Sequence, residues 1–125
     1  IQYKNGTPVQ SYNEKNAFKE TAGGYGSGYC YIDGLAFDKN GNLWMTSSEV
    51  NHAVLVLDKA GAWHRLDIEQ LRGVYTINDI LITSTNDKWI YVPRNTPKLV
   101  MIPNSESLDE VSSYEFTTLI DTEKN

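Results

Sequence analysis

The sequence predicts an all-β protein built from repeated four-stranded units, and three observations lead to this prediction. Trp44 and Trp89 lie 45 residues apart, and their neighbourhoods superimpose without a gap. At the same spacing, the apolar run 54–57 falls on the apolar run 99–102. Short β-prone segments separated by Asn- and Gly-rich turns surround both tryptophans. Repeats of about 40–45 residues with several short strands and one tryptophan are typical of β-propeller blades.

The length of the chain fits only part of a propeller. A propeller closes its ring with about four to eight blades, whereas 125 residues hold fewer than three repeats. We therefore expect a propeller fragment of about two and a half four-stranded blades, which is a piece of a longer protein or one that pairs with copies of itself. The expected divisions are a half blade plus a Gly- and Tyr-rich connecting loop at 1–29, a blade at 30–73, and a blade at 74–125 with a polar excursion and an exit towards a missing blade.

The first full blade shows its strands most clearly. Strands at 32–37 and 43–47 flank the link 38–42, whose Asn and Gly residues adopt the positive φ that a tight hairpin requires. The run 53–57 is apolar at every position, so we expect it to be covered on both faces. A turn at 58–61 leads into an alternating segment that suits a half-exposed outer strand.

The flanking segments follow the same course. The second blade is predicted to have strands at 76–83, 89–92, 99–102 and 113–120, with a polar excursion at 103–112 that we place at the rim. Residues 1–6 and 9–12 resemble half of a blade, in which Gly6 matches Gly61.

Composition excludes two classes of partner for this segment. The formal charge is −5, and a nucleic-acid partner would require a basic stripe. The lysines that lie beside turns are spread out: Lys39, Lys59, Lys88 and Lys98. No run of 18 apolar residues predicts a membrane span. The single cysteine, Cys30, excludes an internal disulfide and is expected to be a packing residue.

Neither a catalytic residue nor a cofactor or metal is predicted. The two histidines, His52 in a link and His64 on the outer strand, lack the spaced His, Cys or Glu partners of a zinc site, and His64 is expected to be solvated. Asp38, Asn40, Asn42 and Glu49 occupy ligand positions 1, 3, 5 and 12 of a calcium loop. Its sixth position requires glycine but holds Leu43, and Gly41 is placed for the hairpin instead.

Residues 34–46, with Asp38, the Gly41-Asn42 turn and the Leu43-Trp44 strand, resemble the two-component-regulator propeller repeat. In the second blade Ser84 replaces the aspartate and Asp87 the turn glycine, while Lys88-Trp89-Ile90 is kept. The stretch 89–94, an apolar strand, residues 107–110 and a serine-led strand are similar to a narrower group. These are propellers of a Gram-negative type IX secretion accessory protein, also found as sensor domains of hybrid histidine kinases.

The resemblance implies a periplasmic or cell-surface protein that binds a glycan, a lipopolysaccharide or a protein ligand without catalysis. The remaining blades of the same protein would be its other partners. An extracytoplasmic ligand sensor of a hybrid histidine kinase is the first alternative. A metal-dependent lactonase or lyase is the second, since Asp33, Asn78 and Asp79 lie near the starts of first strands, where a propeller channel would open.

Blade topology indicates where a ligand would bind. Links between the second and third strands lie on the same side of a blade as the connections between blades. This side is expected to carry the candidate ligand-binding residues Tyr25, Tyr29, His52 and Arg94. Tyrosine offers a flat apolar face with a polar tip, and arginine a fork for carboxylate or phosphate, which together suit a sugar or an anionic glycan. Trp44 and Trp89 are instead expected to be structural residues buried between sheets.

Overall fold

A computed structural model describes residues 2–10, 31–94 and 97–117. In these ranges the strands are β1 (Gln2–Lys4), β2 (Thr7–Gln10), β3 (Ile32–Phe37), β4 (Leu43–Ser47), β5 (Val54–Leu57), β6 (Trp63–Leu66), β7 (Ile80–Ile82), β8 (Lys88–Val92), β9 (Lys98–Ile102) and β10 (Tyr114–Thr117). One 3₁₀ turn, Glu69–Leu71, lies between β6 and β7.

The strands form antiparallel meanders. β1 pairs with β2, β3 to β6 form a four-stranded sheet in chain order, and β7 to β10 form another. We call the two four-stranded units the first sheet and the second sheet. The prediction of an all-β chain with two four-stranded antiparallel units is confirmed.

The 45-residue repeat holds in three dimensions. Trp44 and Trp89 are each the second residue of the second strand of their sheet. The residues opposite Trp44 on its two neighbouring strands precede those opposite Trp89 by the same spacing. These equivalent pairs are Ala36 with Leu81, and Val56 with Met101.

The hairpin turns of the first sheet share one geometry. In the first, the Asp38 N–H donates to the Asn42 carbonyl at 2.9 Å, and Gly41 has a φ of 86°. The second, at 58–62, repeats this hydrogen bond, and Gly61 has a φ of 93°. Glycine is favoured at both positions because the left-handed region costs it no steric energy.

The corresponding turn of the second sheet corrects the alignment made from sequence. The Thr83 N–H donates to the Asp87 carbonyl at 2.9 Å, and Asn86 has a φ of 66°. Thr83, and not Ser84, therefore stands in place of the aspartate, and Asn86, and not Asp87, in place of the glycine. Asparagine tolerates this positive φ better than most residues, so the turn keeps the same conformation without a glycine.

The core lies between the two sheets, which pack face to face. Buried residues from both sheets and from the 67–79 connection form one cluster: Trp44, Ala53, Val54, Val56, Leu66, Ile68, Leu71, Ile77, Ile80, Ile90, Val92, Val100 and Ile102. On β5, residues 54–56 are all buried, which confirms that this strand is covered on both faces. Gly34 permits a close approach of the two sheets, because a Cβ there would lie 3.0 Å from the Ile80 nitrogen.

Two segments differ from the prediction. The expected strand at 76–83 is reduced to β7, because the Ile77 N–H donates to the Ser48 hydroxyl and the Asn78 carbonyl accepts from Thr46 across the sheets. The 103–112 segment was expected to be a polar excursion at the rim, and in the structure residues 103–113 connect β9 to β10. Two of its side chains, Leu108 and Val111, pack against the core.

Candidate functional site

The connections between strands divide into two groups by the end of the sheets at which they lie. The turns 38–42, 58–62 and 83–87 lie at one end with the 103–113 connection, and we call this end the turn edge. The connections 48–53 and 67–79 lie at the opposite end with the link from β8 to β9, and we call this end the link edge. Because antiparallel strands alternate in direction, this division follows from the meander order.

The predicted ligand-binding residues fall on the link edge as far as the structure describes them. Tyr25 and Tyr29 lie outside the described residues. His52 is half-buried in the β4–β5 link, and Arg94 is exposed just after β8. The structure thus places His52 and Arg94 at the same end of the two sheets.

An arginine–carboxylate pair lies near His52. Arg72 Nε and Nη2 donate to the two carboxylate oxygens of Asp67 at 2.6 and 2.8 Å. The hydrogen bonds from Arg72 lower the pKa of Asp67, and the charges of Arg72 and His52 lower it further. About half of each side chain of the pair remains exposed, at 50% for Arg72 and 45% for Asp67. The pair therefore holds a guanidinium at the surface of the link edge in a fixed orientation.

Two more residues present functional groups at this edge. No hydrogen bond or ion pair joins the Arg94 side chain to another described residue. Tyr75, in the 67–79 connection, is 58% exposed, and sequence reasoning did not select it. Its position in a connection between two sheets was the available signal, but the strand predicted from residue 76 onward made Tyr75 look like a strand boundary.

The acidic and amide residues considered for a metal-dependent enzyme have structural roles. The Asp33 carboxylate accepts from the Ser48 N–H at 2.9 Å, and Asp79 accepts from the Ile80 N–H at 3.0 Å. The carbonyl of Asn78 accepts from the hydroxyl of Thr46. Within the described ranges, no group of three or more His, Cys, Asp or Glu side chains is placed to hold a metal ion.

At the turn edge, the carboxylate of Asp38 is buried and fully engaged. One oxygen accepts from the backbone N–H groups of Asn40 and Asn42 at 2.8 and 3.0 Å. The other accepts from Asn42 Nδ2 at 3.0 Å and from Trp44 Nε1 at 2.9 Å. Burial works to raise the pKa of Asp38, but these hydrogen bonds outweigh it and lower the pKa. The absence of calcium from this turn stays a prediction, supported by the use of both oxygens within the hairpin.

The same carboxylate also takes part in a side-chain contact between the two sheets. Lys88 Nζ of the second sheet lies 4.0 Å from Asp38 Oδ2 and 4.5 Å from the centroid of the Trp44 ring. Burial lowers the pKa of Lys88, while the charges of Asp38 and Asp87 oppose this shift. Sequence reasoning missed this role, because Lys88 lies beside a turn and no local signal indicates a buried partner.

A second contact between segments involves His64. This histidine was expected to be solvated, but its side chain is largely buried. Its Nε2 lies 2.8 Å from Asp58 Oδ2, its Nδ1 lies 2.7 Å from Asp109 Oδ1, and its side chain is only 17% exposed. The hydrogen bonds with Asp109 and Asp58 raise the pKa of His64. Since Asp109 belongs to the 103–113 connection, the histidine ties that connection to the first sheet.

We expect the pairing of His64 with Asp58 and Asp109 to make the free energy of unfolding depend on pH. A protonated imidazole donates from both nitrogens, whereas a neutral one donates from a single nitrogen. Because the folded-state pKa is raised, the contribution is fully present below the unfolded pKa of about 6.5 and is lost as the pH rises through the folded-state pKa. Urea unfolding of the wild-type chain should therefore show a stability loss over this window that His64→Gln lacks. His52→Gln is the matched control and should retain the loss; equal pH profiles for the wild type and His64→Gln would contradict the assignment.

Comparison with known proteins connects this fold to one solved structure. PorZ, an essential bacterial surface component of the type IX secretion system of Porphyromonas gingivalis, superimposes with a TM-score of 0.76 at 18% sequence identity. The match covers 90% of this chain and 16% of PorZ, so the chain spans a small part of that protein's length. No protein-family model and no curated protein matches the sequence. At this identity the likeness concerns the fold.

Among residues 2–10, 31–94 and 97–117, no helix has the length and apolarity that a bilayer span requires.

Proposed function

We propose that the chain is a non-catalytic ligand-binding module of a bacterial envelope β-propeller protein, similar to type IX secretion accessory proteins. In this proposal the first and second sheets are successive propeller blades. The main observation that supports this proposal is the packing of two four-stranded meanders with a constant 45-residue offset. The fold of the chain also matches part of a bacterial surface component. The remaining blades of the same protein would flank the two sheets.

The link edge is the proposed ligand-binding surface. The polar groups of the turn edge are largely used within the protein, as at Asp38 and His64. The link edge instead presents the exposed guanidinium of Arg94 and the exposed ring of Tyr75. A ring that stacks on a sugar and a guanidinium that binds a carboxylate or phosphate favour an anionic glycan or a lipopolysaccharide as the ligand.

A periplasmic or cell-surface location follows from this proposal. Lipopolysaccharide and other envelope glycans are outside the cytoplasm, and the surface component with the matching fold supports the same compartment. A protein ligand is the alternative occupant of the link edge. It would use the same exposed arginine and tyrosine side chains, because these residue types are enriched where proteins bind one another.

The test, made in the full-length protein, substitutes Arg94 on the link edge together with Tyr25 and Tyr29, which are predicted from sequence to lie on the same side. Tyr25→Ala, Tyr29→Ala and Arg94→Ala together should weaken binding of purified lipopolysaccharide at least tenfold, as measured by biolayer interferometry. Adding Tyr75→Ala should weaken it further. The melting temperature should change little for the exposed positions, since exposed substitutions move stability by less than about 0.5 kcal/mol.

A matched control places three alanine substitutions on the turn edge, at Lys39, Asn40 and Lys59, whose residues are exposed. This variant should bind lipopolysaccharide like the wild type. Unchanged binding by a folded link-edge variant would remove this edge as the site. Equal weakening in both variants would indicate a non-specific charge effect.

A further inference from the structure

The connection between β9 and β10 is held at both ends. At its start, the Asn104 N–H donates to Asp87 Oδ1 at 2.8 Å. At its end, the Ser113 hydroxyl donates to Gln70 Oε1 at 2.9 Å. Residues 105–110 lie between these two anchors, and we call them the flap. Any movement of the flap is therefore confined between two fixed points on the protein.

The flap contacts the rest of the protein through an apolar and a charged side chain. Leu108 is half-buried and packs against the core. Asp109 Oδ1 lies 2.7 Å from His64 Nδ1 on β6. The N–H groups of Asp109 and Glu110 donate instead to the hydroxyl of Ser107, within the flap itself. The pairing of Asp109 with His64 therefore joins the flap to the first sheet through a side chain of the type that titrates near neutral pH.

His64 lies between two carboxylates that differ in their freedom to move. Asp58 Oδ2 lies 2.8 Å from Nε2, and Asp58 Oδ1 accepts from the N–H groups of Ala60 and Ala62, both at 2.9 Å. The Asp58 carboxylate thus loses two hydrogen bonds if it turns away from the imidazole. The side chain of Asp109 is 77% exposed, so its carboxylate can turn into water.

The protonation state of His64 decides whether both carboxylates can stay. A protonated imidazole donates to Asp58 and Asp109 at once, whereas a neutral one donates from one nitrogen and presents a lone pair from the other. A lone pair and a carboxylate oxygen at 2.7 or 2.8 Å repel each other. Because the Asp58 carboxylate is held in place, the neutral ring keeps its proton on Nε2 and loses Asp109.

The surroundings of His64 leave the two aspartates in control of its charge. Hydrogen bonds with Asp109 and Asp58 raise its pKa. The neighbouring strand β5 presents apolar residues throughout, at 54–57. The other charged residues of the adjacent turn and of the flap are exposed to solvent, where water and salt screen them: Lys59, Glu106 and Glu110.

We propose that the flap is closed on the first sheet while His64 is protonated and opens between its two anchors when His64 is neutral. Opening removes Leu108 from the core and exposes an apolar side chain at the turn edge. The fold thus contains a pH-sensitive switch. The inference is independent of the proposed ligand, because the link edge lies at the opposite end of the sheets.

The direction of the switch follows from the raised pKa of His64. The flap should be fully closed below the unfolded-state value of about 6.5. It should open as the pH rises through the raised pKa of the closed state, because closure and protonation favour each other. Alkaline conditions therefore open the flap, and acidic conditions close it.

The two anchors remain in place while the flap opens. The hydrogen bond between Ser113 and Gln70 involves no charged group. At the other anchor, hydrogen bonds from Thr85 and from the Asn104 N–H lower the pKa of Asp87, so this carboxylate stays ionised and continues to accept. The opening is therefore limited to the flap.

The experiment is a pH titration of the 125-residue chain, followed by methyl NMR from about pH 5 to about pH 9. The methyl signals of Leu108 should move from packed to solvent-exposed positions with the same midpoint as the ring signals of His64, above about pH 6.5. The methyl signals of Val111, which also packs against the core and lies beside the Ser113 anchor, should keep their packed positions.

Asp58→Asn tests which carboxylate leaves. The amide oxygen can still accept from Ala60 and Ala62, which turns the amide NH₂ towards Nε2 of His64. A neutral imidazole must then accept at Nε2 and carry its proton on Nδ1, where it donates to Asp109. In this variant, Leu108 should therefore stay packed at every pH of the titration.

Two substitutions in the flap complete the design. Asp109→Ala removes the contact with His64, so Leu108 should be exposed at every pH, and the titration midpoint of His64 should fall. Glu110→Gln is the matched control, because it also removes one negative charge from the flap but at an exposed position. It should titrate like the wild type.

Packed Leu108 signals throughout the His64 transition of the wild type would overturn the proposal. Opening of Asp58→Asn at the wild-type midpoint would overturn the assignment of Asp109 as the released partner. Exposure of Val111 together with Leu108 would show that the anchors do not hold. Lipopolysaccharide binding by the link-edge variant is measured separately, so failure of either test leaves the other proposal standing.

Discussion

Replacing Asp38 with alanine is expected to lower the free energy of unfolding by about 3–5 kcal/mol. The carboxylate is buried, with a side chain only 1% exposed, and it accepts hydrogen bonds from the backbone and side chain of Asn42, from the backbone of Asn40 and from the indole of Trp44. Alanine would leave these donors without an acceptor in a place that water does not reach, and each such loss costs about 1–3 kcal/mol before relaxation. Urea unfolding followed by circular dichroism measures the change.

Asp58→Ala is the matched control, because Asp58 holds the equivalent position in the next hairpin. Its carboxylate also accepts from two backbone N–H groups, at Ala60 and Ala62, but these hydrogen bonds are exposed to solvent. Asp58 also pairs with His64 at 2.8 Å, so both aspartate substitutions are compared in the His64→Gln background, which removes that pair. Water can replace the lost acceptor there, so the destabilisation should be clearly smaller. Equal losses for the two substitutions would show that burial does not set the cost.

Lys88→Met separates the two roles of Asp38, in the turn and across the sheet interface. Methionine retains the apolar stem over Trp44, and the ion pair with Asp38 is long, at 4.0 Å. We expect this substitution to cost less than about 1.5 kcal/mol and to recover only a small part of the loss in Asp38→Ala when the two are combined. A large recovery in the double-mutant cycle would mean that Asp38 acts mainly as the partner of Lys88.

The parts of the fold that sequence predicted depend on local signals. The meander order followed from short β-prone runs and from turns such as 38–42, where Gly41 takes the positive φ of a hairpin. The coverage of β5 followed from its lack of a polar face. Both signals act between residues close in sequence, so they need no knowledge of the partner sheet.

The features that sequence missed depend on contacts between distant segments. His64 pairs with Asp109, and Lys88 lies beside Asp38, but nothing local to either residue indicates its partner. The turn at 83–87 was misaligned by one residue because Asn86 replaces the glycine that marks the position elsewhere. Side-chain contacts between distant segments can therefore be identified only from the three-dimensional arrangement of the sheets.

In the candidate site, too, local signals predicted some features, whereas others depend on the three-dimensional path of the chain. Topology correctly indicates that the β4–β5 and β8–β9 links share an end of the sheets, which places His52 and Arg94 together on the link edge. The exposure of Tyr75 and the pairing of Arg72 with Asp67 depend on the path of the 67–79 connection, which no periodicity encodes. The contributions of Tyr25 and Tyr29 remain predictions, because both residues lie outside the described ranges.

The two tryptophans test whether equivalent positions in the repeat contribute equally to the free energy of unfolding. They were expected to be equally buried, but Trp44 is 1% exposed whereas Trp89 is half-buried, because the second sheet covers Trp44 and no described element covers the face that carries Trp89. Trp44→Ala should therefore lower the free energy of unfolding by about 3–5 kcal/mol.

Trp89→Ala should cost only about 1–2 kcal/mol in the isolated chain, in proportion to its smaller buried area and its contact with Phe116. Trp44 also donates to Asp38, so Trp44→Phe, which keeps an apolar ring but removes the donor, should have an intermediate cost. The measurement is urea unfolding followed by circular dichroism. Equal costs for Trp44→Ala and Trp89→Ala would show that equivalence in the repeat, and not coverage by a neighbouring sheet, determines the contribution of each indole.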